Sequence, residues 1–180
     1  NTMTLTANDG SSNTSTATAT VTVIDSTRPT AVAQDITVYL DGAGNASIVS
    51  GDVDNGSADY CSVTSLKLDV SSLTCANVGA NTVTLTATDG SPNTSTATAT
   101  VTVIDSTRPT AVAQDITVYL DGAGNATITT GDMDNGSTDN CATLTLSLDQ
   151  TNFTCSDVGA NTVTLTSTDG SYNTATATAT

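Results

Sequence analysis

Apolar and polar side chains alternate with a period of two along most of this chain. From Ala97 to Val103 the odd positions are apolar and the even ones are Thr, and Thr82 to Thr88 repeat the pattern. Such alternation predicts half-buried strands with Thr facing out. Ile36, Val38 and Leu40 predict a third strand, and Ala46 and Ile48 a short fourth. Leu66, Leu68 and Val70 predict a fifth, and Leu73 a short sixth after a Ser-Ser turn. Turn clusters separate them at Asp41–Asn45, Asp52–Asp59, Asn77–Asn81 and Asp89–Asn93. Short strands at this spacing predict an all-β, immunoglobulin-like sandwich. Without any Trp, the chain has the architecture and not the antibody signature.

The pattern recurs. Residues 14–46 return letter for letter as 94–126, and residues 1–13 match 81–93 except at three positions. The period of 80 is too long for a solenoid unit and suits a small autonomous β domain. Tandem immunoglobulin-like repeats are therefore expected. Residues 1–24 form the closing part of a preceding repeat, 25–104 repeat one, and 105–180 repeat two with its last strand cut short. Because both ends fall inside a repeat, the chain is expected to be a window on something longer.

Charge adds a candidate site. All 18 acidic residues are Asp, the net charge is -15, and the cationic side chains are Arg28, Lys67 and Arg108. Asp is poor in helices and good in turns and metal loops. Such acidity argues against nucleic acid or an anionic membrane surface as partner. No apolar run approaches the length of a membrane span, so membrane insertion of this segment is not expected. The absence of His and of any GxSxG motif argues against an enzyme.

The stretch Asp52-Val53-Asp54-Asn55-Gly56-Ser57-Ala58-Asp59 returns as Asp132 to Asp139. Broken by Gly, Ser and Asn, it is expected to form neither a buried strand nor a stable helix. Its carboxylates repel unless a cation sits between them, and Ca²⁺ takes six to eight hard oxygens from flexible loops. In the sandwich this loop, the turn at Asp89 and the incoming linker Ile24–Pro29 share one pole. Asp25, Asp52, Asp54, Asp59 and Asp89 are thus candidate Ca²⁺ ligands at one junction. Asp105, Asp132, Asp134, Asp139 and Asp169 are candidates at the next. Asp41, Asp69 and Asp149 read as ordinary solvated turn residues.

Four cysteines allow three pairings. The repeat is expected to select Cys61–Cys75 and Cys141–Cys155, one local staple per unit. A zinc site would want CxxC spacing or His, and neither is present. Disulfides place such a chain outside the cytoplasm.

Three stretches together carry a resemblance to a known family. They are Val-Thr-Val-Ile-Asp-Ser-Thr-Arg-Pro, the loop ending Asp-Asn-Gly-Ser-x-Asp-x-Cys, and Cys-Ser-Asp-Val-Gly-Ala-Asn-Thr-Val-Thr-Leu-Thr-x-Thr-Asp-Gly. The chain resembles hyalin-type (HYR-like) repeats, above all those of the SprB-like gliding adhesins of Bacteroidota. The resemblance spans the whole chain. It implies export to the cell surface and service in an extended filament for adhesion or gliding motility, with other parts of the protein meeting polysaccharide or surface. Tyr60 stands where repeat two has Asn140, and Ala76-Asn77 where it has Ser156-Asp157. Asp25-Ser26-Thr27 and Asp105-Ser106-Thr107 resemble an O-glycan acceptor, which marks Ser26 and Ser106 as candidate modification sites. The alternative reading is a binding module, for polysaccharide or, through outward Thr96, Thr98, Thr100 and Thr102, for ice.

Overall fold

The computed structural model describes residues 1–180. Strands β1 (Thr2–Asn8) and β2 (Thr14–Thr20) form a hairpin whose residues are all exposed. Repeat one contains β3 (Ile36–Tyr39), β4 (Asn45–Ser47), α1 (Ser50–Val53), β5 (Val63–Leu68), β6 (Ser72–Thr74), β7 (Gly79–Asp89) and β8 (Thr94–Ile104). Repeat two contains β9 (Asn125–Thr127), α2 (Thr130–Met133), β10 (Leu144–Leu148), β11 (Asn152–Thr154), β12 (Val163–Asp169) and β13 (Thr174–Ala179).

In repeat one the larger sheet runs β3-β8-β7-β5, with β3 parallel to β8 and the other pairs antiparallel. The second sheet pairs β4 with β6. Bridges Thr30↔Ala58 and Ala33↔Asp54 lay the incoming segment along the acidic loop. Two facing sheets with this order make an immunoglobulin-like sandwich. The chain is all-β, in tandem repeats.

The alternation predicted from sequence decides what fills the space between the sheets. Val83, Leu85, Val101 and Val103 are at most 1% exposed, and they pack with Leu40, Ile48, Val53 and Leu73. Burying each of these side chains is worth roughly 1.5–3 kcal/mol. Repeat two has a smaller core of Ile128, Met133, Phe153, Val163 and Ala179. By the 80-residue period β3 corresponds to Ile116–Tyr119, of which Ile116 donates its amide to Thr180 O at 3.2 Å. Thr117–Leu120 is not a strand, and it borders an apolar groove of about 470 Å³ lined also by Ile128 and Phe153.

Two expectations need correction. The acidic stretch does enter a helix: Ser50–Val53 is one α-turn, and Thr130–Met133 its counterpart. Asp52 makes the turn possible, because its carboxylate accepts a hydrogen bond from the Val49 amide at 2.7 Å. The buried Val53 and Met133 hold the turn against the core.

The disulfide pairing also differs. Neither Cys61–Cys75 nor Cys141–Cys155 forms; Cys75 is bonded to Cys141, with Cα atoms 5.4 Å apart. Cys61 and Cys155 are free and exposed. Strands β5 and β6 run in the same direction, so residues 61 to 75 carry the chain from the entry pole to the exit pole. A bridge needs Cα atoms within about 7 Å, which two ends of one sandwich do not offer. The exit pole of repeat one instead meets the entry pole of repeat two, and there the thiols coincide.

Candidate functional site at the repeat junction

The linker that leaves β8 places Asp105 against the second sandwich, where it is 4% exposed. Its Oδ1 accepts from the Thr107 amide at 3.1 Å and from Asn140 Nδ2 at 3.3 Å. Asp139 closes the acidic loop, and its Oδ2 accepts from the Cys141 amide at 2.8 Å. One carboxylate oxygen of each aspartate and Cys141 Sγ lie within 4.8 Å of one another. Repeat one copies the arrangement with Asp25, Asp59 and Cys61. There Asp25 Oδ1 accepts from the Thr27 amide at 2.9 Å, and Asp59 Oδ2 from the Cys61 amide at 2.7 Å.

The remaining oxygens are the telling ones. Asp25 Oδ2, Asp59 Oδ1 and Asp139 Oδ1 are buried without a hydrogen-bond partner. A carboxylate oxygen in that condition costs free energy unless a cation or proton meets it. Two carboxylates at this separation repel by about 3 kcal/mol at an effective dielectric constant near 20. The donor set consists of hard oxygens and fits Ca²⁺, provided carbonyls and water supply the remaining ligands. Sulfur adds little for so hard an ion, and the Cys141 sulfur is already spent in the disulfide.

Of the candidate ligands, the structure gathers Asp25 with Asp59 and Asp105 with Asp139. Asp89 and Asp169 stand beside them but are satisfied locally. Burial pushes the Asp89 carboxyl up, and hydrogen bonds from the Asn93 side chain and the amides of Asn93 and Ser91 hold it below its ordinary value. Asn93 Nδ2 also donates to Asp25 O at 3.2 Å, and Asn173 Nδ2 to Asp105 O at 3.1 Å. These two amides bind the linker to the last hairpin of each repeat.

Asp52 and Asp132 cap their helical turns, and Asp54 and Asp134 close tight turns over Ser57 and Ser137. The Ser57 and Ser137 side chains hold the Asp54 and Asp134 carboxyls below the ordinary range. In the same way the Thr129 hydroxyl lowers Asp132. These four are occupied with the loop itself. At the other end of the site, the adjacent Asp25 carboxylate, burial and the charges of Asp59 and Asp89 push the Cys61 thiol up.

Sequence reasoning missed the exit-pole half of the junction. Asn140 Nδ2 donates across it to Asp41 O at 3.2 Å, and Cys75 Sγ lies 3.7 Å from both Gly44 O and Asn140 O. Gly44 has φ +76°, and a Cβ there would meet Cys75 Sγ at 2.5 Å and Asn140 O at 3.0 Å. Only glycine allows so close an approach in that conformation. The signal available in sequence was the Asp-Gly-Ala-Gly-Asn turn itself, read as a turn and no more.

No family model matches the chain, and no curated protein matches it. Among solved structures it is similar to domains EC22–24 of mouse cadherin-23, at 18% identity over 99% of this chain and 72% of that one, with TM-score 0.43. Domains EC1–3 of protocadherin gamma C5 align at 11% identity over 93% and 71%, with TM-score 0.42. Extracellular cadherin domains 1–4 of protocadherin gamma B7 align at 13% identity over 93% and 53%, with TM-score 0.36. The chain thus spans 53% of the length of the gamma B7 structure. The fold assignment rests on the strand order and register of the chain itself.

Proposed function

We propose that this chain is a load-bearing repeat region of a long extracellular filament at a cell surface, serving adhesion or gliding motility as the hyalin-type resemblance implies. One observation carries the reading: the Cys75–Cys141 bond fastens successive near-identical sandwiches pole to pole. A covalent bond across the junction resists bending and extension there, which is what a rod requires. No helix is long and apolar enough to cross a membrane. The division into a partial repeat and two further repeats, each folding as its own sandwich, belongs to the same proposal.

In this reading Asp105 with Asp139, and Asp25 with Asp59, each hold a Ca²⁺ ion that meets the unpartnered carboxylate oxygens and stiffens the linker. The support is the orphaned oxygens, and the ligand set is narrower than the sequence suggested. Asp89 and Asp169 stand next to the ion through Asn93 and Asn173. Ser26 and Ser106 lie in the same linkers as candidate O-glycan acceptors. Calcium titration by calorimetry on the oxidised chain tests the metal. Saturable binding is expected, lost when Asp105→Asn and Asp139→Asn are combined with Asp25→Asn and Asp59→Asn. Small-angle scattering should show chelation widening the spread of interdomain distances. Superimposable profiles, with no heat of binding, would remove calcium from the account.

A second reading has its own observation. Thr ladders face each other across β7 and β8 at Thr82↔Thr100, Thr84↔Thr98, Thr86↔Thr96 and Thr88↔Thr94. Matching ladders occur on β1–β2 and on β12–β13. Regular outward hydroxyls are the surface an ice-binding module would present. Thermal hysteresis of the purified chain would report it.

A further inference from the structure

The disulfide of the junction has two more halves in this chain. By the 80-residue period Cys61 corresponds to Cys141, and Cys155 to Cys75. Both are free and exposed. Each nevertheless holds the pose of its bridged counterpart. Cys155 Sγ lies 3.8 Å from Gly124 O, as Cys75 Sγ lies 3.7 Å from Gly44 O. Gly124 has φ +80°, and a Cβ there would meet Cys155 Sγ at 2.8 Å. At the other pole, Cys61 stands against Asp25 and Asp59 as Cys141 stands against Asp105 and Asp139. The cradle under Cys155 is therefore built although no partner sits in it.

We propose that Cys61 and Cys155 are the open halves of the same inter-repeat disulfide. Cys155 takes the 61-type thiol of a sandwich that follows, and Cys61 the 75-type thiol of one that precedes. The consequence is an array in which every junction is crossed twice, once by the main chain and once by sulfur. A second copy of this chain supplies both matching halves, so copies join head to tail through Cys155 of one and Cys61 of the next. Such heterologous contacts do not close on themselves, and linear polymers result.

The chemistry balances with a small-molecule disulfide as oxidant. A thiolate of one copy attacks glutathione disulfide, releasing one glutathione thiol and leaving a mixed disulfide. The thiol of the second copy, deprotonated, then displaces the other glutathione. Two thiols have lost two electrons and two protons, and the oxidant has become two thiols.

Complementarity selects the pairing. A Cys61–Cys61 bond would press two acidic poles together, Asp25 and Asp59 against their copies. A Cys61–Cys155 bond sets one acidic pole on the Gly124 turn, as the existing junction sets Asn140 O on Gly44. Tyr60, in place of Asn140, is 99% exposed, so the new junction keeps the backbone contacts and lacks the two amide hydrogen bonds. The inference goes beyond the filament reading, since it concerns sulfur alone and stands with or without calcium.

The test uses the chain with Cys75–Cys141 intact. Under denaturing conditions it should titrate two thiols. Incubated in a glutathione redox buffer, it should give a ladder of reducible oligomers whose peptide map contains the Cys155–Cys61 linkage. Cys61→Ser and Cys155→Ser each remove one exposed thiol and leave the cores untouched. Each variant alone should form homodimer only in low yield, and a mixture should give heterodimer and nothing longer. Heterodimer should exceed either homodimer by about tenfold, the ratio that about 1.4 kcal/mol of complementary contact supports. Homodimers in equal yield, no oligomer at all, or a Cys61–Cys75 peptide in the native chain would each overturn the proposal. Repeating the mixture with a chelator separates it from the metal: loss of calcium binding with an unchanged heterodimer yield would leave it standing.

Discussion

At the residue scale the junction turns on one missing side chain. Gly44 lies under Cys75 and Asn140 with a positive φ, so Gly44→Ala meets both backbone strain and a collision with sulfur. The strain alone costs more than about 0.4–1 kcal/mol. The variant is expected to lower the denaturation midpoint and, after oxidative refolding, to leave a fraction of chains whose Cys75 and Cys141 never bridged and still titrate as thiols. Gly124→Ala carries similar strain, but Cys155 is unbonded and can swing away, so its thiol count stays at two. Aspartates away from the site are equally specific. Asp69 Oδ1 accepts from the Thr84 amide at 2.8 Å, and Asp149 Oδ1 from the Thr164 amide at 2.8 Å. Backbone hydrogen bonding from Thr84 comes first among the causes that hold the Asp69 carboxyl below its ordinary value of 3.8. A carboxyl depressed in the folded state binds its proton less readily there than in the unfolded chain. Its stabilisation is therefore complete above the unfolded value and is lost as pH falls through the folded one. Denaturation midpoints followed from about pH 6 down to pH 2 should fall at the acid end, and Asp69→Asn should make that fall shallower. In sequence these residues looked like solvated turn aspartates, because nothing local shows that the amide of a residue 15 positions on lacks a strand partner.

Elements were the most legible scale. Alternation of Thr with Val, Leu and Ala located β7 and β8, and the shorter apolar pairs located β3 to β6, because a strand with one buried face must alternate. The helical turns were hidden for the opposite reason. A four-residue turn shows no periodicity, and its one apolar residue stands between two aspartates. That residue is nevertheless decisive: Val53 is 0% and Met133 1% exposed. Each plugs its sandwich from the side of the acidic loop, so the loop is anchored by an apolar side chain as well as by carboxylate caps. Met133→Ala should destabilise repeat two by about 2–5 kcal/mol, whereas Met133→Leu should cost less than about 1.5. Urea unfolding followed by circular dichroism would measure both. Equal and small effects would mean that α2 is held by its caps and not by the core.

At the scale of the whole molecule the chain holds two hydrophobic clusters, of nine and five buried residues. Val83, Leu85, Val101 and Val103 are buried in repeat one, where the second sheet of β4 and β6 supplies Leu73 to the same core. The period was legible from the letters, and the poles from the strand order. The partner of each cysteine was not, because pairing depends on which poles meet and not on which cysteines are near in sequence. Calorimetry of the oxidised chain should resolve two transitions, the lower from repeat two with its smaller core. The Cys75–Cys141 bond spans 66 positions and contributes roughly 4 kcal/mol in the chain-entropy model. It closes that loop through both sandwiches, so reduction removes a constraint from the junction and leaves each core in place. Reduced chain is therefore expected to keep its β-type circular dichroism at ambient temperature while small-angle scattering reports a broader range of interdomain distances. Cys75→Ser with Cys141→Ser should reproduce the scattering change without reductant. If strand content collapsed on reduction, the bond would be holding the sandwiches themselves together, and the picture of separately folded repeats joined at their poles would fail.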